Sequence, residues 1–235
     1  MSLKKALGMG VASAALGISL IGGGTFAAFT DTETVSNSYA AGTLNLELKT
    51  IDNRGTIASN LFTSTLANFK PGDTITKTFL VANAGTLSIK DVKVQAKYEG
   101  YLDGSKNGDL EGKLGASAAE NSAADFASQI KVEITSSDVN DRHLQPVWSG
   151  TLEDLQKLWT DDLTKNTDNN SLPAIPADRD KVRIKLTFDE QAGNTFQGDK
   201  FENIKFQFYA TQFSGKNFND GDNVSEFNAR QTESN

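Results

Sequence analysis

Apolar residues recur at every second position through much of this chain, in short runs separated by Gly, Asn, Asp and Ser. Leu44, Leu46 and Leu48 alternate with Asn45, Glu47 and Lys49, the period-2 pattern of a strand with one buried face. Residues 74–83, rich in Thr, Ile, Phe and Val, predict a second strand, and Leu87, Ile89, Val92, Val94, Ala96 and Tyr98 a third. Parity changes between Ile89 and Val92 in that third run. A bulge near Lys90 and Asp91 is expected there, since one extra residue restores the buried face. Ile130, Val132 and Ile134 mark another strand. The two clearest alternations are Val182, Ile184, Leu186, Phe188 and then Ile204, Phe206, Phe208, Ala210. Turn residues at 193–199 lie between them and predict that these two pair as antiparallel neighbours.

The intervening stretches carry punctuation. Asn68, Pro71, Gly72 and Asp73 form a turn, with Pro71 fixing φ and Gly72 free to take positive φ, and Asn83 to Gly85 form another. Residues 51–65 read as a loop or weak edge strand, and 100–124 as a surface insertion. Residues 123–129 allow one or two helical turns. One segment, 151–159, has the full signature of a helix. Thr151 is its N-cap with Asp154 three residues on, and Leu152, Leu155, Leu158 and Trp159 are expected to share a face. Residues 161–180 read as a polar linker and 214–235 as a loosely held tail. About seven short strands and one good helix predict a mainly β fold, an antiparallel sandwich over 44–213. The pattern leaves jelly-roll and immunoglobulin-like arrangements both open.

Before Leu44 the chain has a different character. Lys4 and Lys5 precede an uncharged, apolar, small-residue stretch at 6–21; Gly22, Gly23 and Gly24 break any helix; and Thr25-Phe26-Ala27 places small residues where a signal peptidase reads them. Cleavage between Ala27 and Ala28 is expected, with signal peptidase as the first partner and no lasting membrane span afterwards. A retained anchor is the competing reading, because the apolar stretch approaches the roughly 18 to 20 residues that cross a bilayer. Gly8, Gly10 and Gly17 dilute that stretch and favour export.

The run GMGVASAALGISLIGGGTFAAFTDTE at 8–33, followed by AAGTLNLEL at 40–48, resembles the TasA/camelysin family of exported biofilm-matrix and cell-surface proteins of spore-forming Gram-positive bacteria. FKPGDT at 69–74, FLVANAGTLSIKDV at 79–92 and NTFQGD at 194–199 are similar to the same family's internal blocks. The likeness is weak over 100–180. It implies a jelly-roll domain, export to a matrix or cell surface, and polymerisation into fibres by donation of a processed N-terminal strand. The camelysin name also implies a neutral metallopeptidase.

Composition narrows these possibilities. The formal charge is −7, and removing residues 1–27 takes it to −9, because Lys4 and Lys5 are lost and no acidic residue is. An acidic chain with no basic cluster does not suit nucleic acid. There is no cysteine, which excludes disulfides, thiol catalysis and thiolate metal sites. His143 is the sole histidine, without an H-E-x-x-H motif, whereas a catalytic zinc takes three protein ligands. A serine triad would need the same histidine and has no G-x-S-x-G. No catalytic residue, metal ligand or cofactor is assigned. Two loops offer oxygen donors for calcium, one at Asp103, Asn107 and Asp109 and one at Asp220 and Asp222, but the first has Leu114 where an EF-hand needs glutamate.

The most informative residues lie at the expected mature start. Ala28, Phe29, Thr30, Asp31, Val35 and Tyr39 belong to a proline-free stretch at 28–43, suited to an extended strand but without a hairpin partner. Such an arm can add to the open sheet edge of another copy. Repeated head to tail, this gives a filament and not a closed dimer. The alternative is an arm that folds onto its own domain. The expected function is thus a secreted matrix subunit whose main partner is itself, with other matrix proteins as further partners. A cell-surface metallopeptidase and an accessory or spore-coat-associated component are the alternatives.

Overall fold

The computed structural model describes residues 41–57, 61–62, 69–106, 119–165, 167–219 and 221–233. Seven strands are formed: β1 Leu46–Lys49, β2 Thr74–Asn83, β3 Ile89–Leu102, β4 Ile130–Asp138, β5 Gln145–Thr151, β6 Arg179–Phe188 and β7 Lys200–Gln212. Three short helices accompany them, α1 Ala123–Ser128, α2 Leu152–Lys157 and α3 Val224–Ala229. The fold is mainly β and antiparallel, as the alternation predicts. One sheet has the order β1-β2-β6-β4-β5 and the other is the pair β3-β7. The described strands form sheets of five and two, which does not by itself establish the jelly-roll arrangement that the resemblance implies.

The two sheets face each other through their alternate side chains. Phe79 on β2 meets Phe208 on β7 edge to face, ring centroids 5.6 Å apart. Val81, Val92, Val94, Ile134, Ile184 and Leu186 are fully buried between the layers. Each such side chain contributes roughly 1.5–3 kcal/mol of transfer free energy, which is what holds a cysteine-free domain together. At one end Phe126 of α1 packs on Phe188, Phe196 and Phe201. The expected bulge is present: the β3–β7 register shifts between Ile89 and Asp91.

Several expectations are corrected. The strands at 182–188 and 204–210 are not partners: β6 lies between β2 and β4, while β7 pairs with β3 in the other sheet. The connection at 189–199 crosses between layers instead of turning a hairpin. Gln145–Thr151, given no element from the sequence, is the edge strand β5. Thr151 does cap α2 and forms a capping box with Asp154, but the helix stops at Lys157. Leu158 adopts an extended conformation, so Leu158 and Trp159 are exposed and only Leu152 and Leu155 reach the core.

Residues 161–180 are not a solvated linker. Leu163 and Leu172 are fully buried, and the Leu163 and Thr160 amides donate to the Val92 and Val94 carbonyls, at 2.7 and 2.9 Å. Within 214–235, α3 is tied to the domain. Ala174 and Ile175 both donate to the carbonyl of Ala229, which is buried, and Ser88 donates to that of Asn228.

Candidate functional site

A sheet edge is a row of backbone donors and acceptors, and two sheets have four of them. Three are shielded or short here. The outer side of β3 is bridged by the segment after α2: besides the two bonds from Thr160 and Leu163, Val92 N–H donates to Asp162 Oδ1 at 2.7 Å and Val94 N–H to Thr160 Oγ1 at 3.0 Å. Beyond β1 the chain folds back, with Ile57 N–H donating to the Leu48 carbonyl at 2.7 Å. The edge strand β5 carries Pro146, which has no N–H to offer.

The fourth edge is β7. It is thirteen residues long, and no described strand lies on its side away from β3. Its core-facing residues register the same asymmetry. Phe206, Phe208 and Ala210 are only half-buried, whereas their cross-strand partners Ala96, Val94 and Val92 on β3 are completely covered. Tyr209 stands 54% exposed, with Trp159 at 5.8 Å between ring centroids. Thr43 is held by Thr86, and Ile89 is the cross-strand partner of Gln212, the last residue of β7.

Residues 28–40, which contain Ala28, Phe29, Thr30, Asp31, Val35 and Tyr39, and the Ala27–Ala28 junction lie outside the described residues. So do Asn107 and Asp109 of the first calcium loop and Asp220 of the second. The described part of the first loop is occupied by its own bonds. Asp103 accepts from the Ser105 amide, the Ser105 hydroxyl and the Asn121 amide, and these hold its carboxyl below the usual range against the opposing effect of burial. Asp222 accepts from the Asn219 amide at 2.7 Å.

His143 sits in the turn between β4 and β5 with a left-handed φ of 56°. It lines an open groove of about 900 Å³ with Asp91, Asp161, Asp162 and Glu233. Among the described residues no three of His, Asp or Glu are placed to hold a metal together. Beneath the groove is a group that the sequence reading passed over. Asp180 is the first member of the buried row that continues through Val182, Ile184, Leu186 and Phe188. Extending that alternation by one step would have found it.

Comparison with known proteins places the chain. The profile of the camelysin metallo-endopeptidase family matches residues 2–217. A Bacillus subtilis (strain 168) protein described as the major biofilm matrix component is 30% identical over 257 aligned positions, covering 92% of this chain and 90% of the relative. This chain belongs to the TasA/camelysin family. The family description implies a metal, and the donor set does not fit a catalytic zinc: one exposed histidine, no cysteine and no converging trio among the described residues. What TasA/camelysin membership adds to the geometry is the match of a matrix relative over nearly its full length to a domain whose β7 has no described strand on its outer side.

Proposed function

We propose that this chain is a structural subunit of an extracellular matrix. Signal peptidase cuts between Ala27 and Ala28, and the freed arm at 28–41 pairs with the open edge of β7 in the next copy. The observation that carries this reading is the contrast between β3, whose outer edge is bridged by 160–163, and β7, whose outer edge meets no described strand. An added strand would pair along the outer side of β7, and an apolar side chain such as Phe29 would pack on the half-buried Phe208 beside Phe206, which Phe62 already meets at 5.5 Å between ring centroids. Head-to-tail repetition makes a filament. The matrix relative supports the extracellular setting.

The absence of native cysteine makes the test clean. Differently tagged copies carrying Phe29→Cys and Tyr209→Cys are mixed, allowed to assemble and joined by a short bis-maleimide. Products containing both tags are expected. If the double variant crosslinks within one chain at every concentration and mixed-tag products do not form, the arm closes on its own domain and the proposal fails. Deleting residues 28–34 should leave soluble monomers. For the peptidase reading, casein cleavage must disappear with His143→Ala and with chelation; activity that survives both belongs to something else.

A further inference from the structure

Asp180 is placed where a strand in a sandwich carries an apolar residue. It is completely buried, and neither carboxylate oxygen has a hydrogen-bond partner among the described residues. Its neighbours across the ladder are Val81 on β2 and Asp138 on β4. Asp138 offers no help. It accepts from the amides of Asn140 and Arg142 and from the Arg142 guanidinium, which overcome its burial and keep it ionised. The Thr167 hydroxyl faces Asp180. Its one proton is directed instead at the Thr164 carbonyl, 2.6 Å away.

The charges that weigh most on Asp180 are carboxylates: Asp178, then Asp168 and Asp162, all from the segment laid over it. Burial first, and these charges second, push its carboxyl up to about 9. Burial likewise raises Asp178 and Asp162. A proton would neutralise Asp180 and could be donated to a lone pair of Thr167 Oγ1, yet it would leave the second carboxyl oxygen unpaired and the neighbouring carboxylates uncompensated. A hard cation would satisfy both oxygens and offset the surrounding charge. The donors nearby are all oxygen, with no sulfur and no imidazole at Asp180, the preference of calcium and not of zinc. Because no three carboxylates already converge, the shell would combine one or two of them with hydroxyl, carbonyl and water oxygens. Calcium accepts six to eight such ligands in flexible geometry.

We propose that Asp180, with Asp178 and the hydroxyl of Thr167, forms a calcium site beneath residues 160–178 and fastens that segment to β6. This is separate from the loops at 103–109 and 217–223, and it does not depend on strand exchange. Its consequence for the domain is local: the fastened segment is the one that bridges the outer edge of β3.

The test uses the full chain stripped with EDTA and titrated with calcium chloride, followed by thermal unfolding and calorimetry. Wild-type protein is expected to gain roughly 5 °C in Tm at saturation. Asp180→Asn should abolish that gain while melting higher than wild type in EDTA at neutral pH, because the amide needs neither a buried charge nor the uptake of a proton on folding. Asp178→Asn should weaken calcium binding about tenfold, and it decides the matter if Asp180→Asn does not fold. Asp103→Asn should change nothing. The proposal is overturned if wild type shows neither heat nor Tm shift up to about 10 mM calcium, well above the weakest extracellular sites, or if Asp103→Asn removes the response and Asp178→Asn leaves it intact.

Discussion

Single residues here show how far one charge can depart from its pattern. The alternation of β6 continues to Asp180 with no change of parity, so the backbone buries a carboxylate by the same geometry that buries Val182. The sign of its pH dependence follows directly. A carboxyl raised from its ordinary value to about 9 is protonated more readily in the folded state, so stability is fully present below the ordinary carboxylate range and is lost as pH rises toward 9. In chelated buffer wild type should therefore lose stability relative to Asp180→Asn between pH 5 and 9, by about 1.4 kcal/mol per pH unit at most. Urea titrations of the two proteins across that range check it, and parallel curves would show that Asp180 is already paired. Asp154 and Asp125 shift the opposite way, lowered first by side-chain hydrogen bonds from Thr151 and Ser122. Their contribution is present at neutral pH and lost in acid.

At the level of elements, the two capping boxes share one local logic. Ser122 and Asp125 start α1, and Thr151 and Asp154 start α2; in each, the hydroxyl accepts from the N3 amide and the carboxylate accepts from the cap amide. Six-residue helices have no margin of their own, so the cap and the buried Leu152 and Leu155 fix α2 together. Thr151→Ala should cost about 1 kcal/mol in denaturant unfolding without changing the slope. A loss below a few tenths would place the stability of α2 in its packing alone. The helix was legible in the sequence because caps are local. Its end was not: Leu158 leaves the helix at Lys157, and the following chain turns to bond with β3 through Thr160, Asp162 and Leu163.

For the whole molecule the decisive feature is unequal sheets, five strands over two, with no described strand on the outer side of β7. In the proposed assembly the copies that meet are each acidic, with formal charge −9 once residues 1–27 are removed. Like charge slows their encounter over distances that salt shortens, from about 30 Å at 10 mM to about 8 Å at 150 mM. Assembly of the processed chain, followed by light scattering, should accordingly be faster at the higher ionic strength. Assembly slowed by salt would point to ion pairs as the attraction and away from backbone pairing.

The sequence by itself determined the positions of every strand but β5, the bulge at Lys90 and Asp91, the cap at Thr151 and the lack of disulfides, because periodicity, turn chemistry and capping act within a few residues. Tertiary structure alone decided which strands pair, since a period of two says that a face is buried and not what it is buried against. That is why 182–188 and 204–210, next to each other in sequence and equally clear in pattern, separate into different sheets. It also decided that Thr164, Thr167, Ser171 and Asp180 in the polar stretch 161–180 lie inside. Bonds to Thr160 and Asp162 satisfy the edge of β3 across 66 and 70 residues, and Asp162 and Asp168 act on the buried Asp180 from 18 and 12 residues away, separations that no local signal connects.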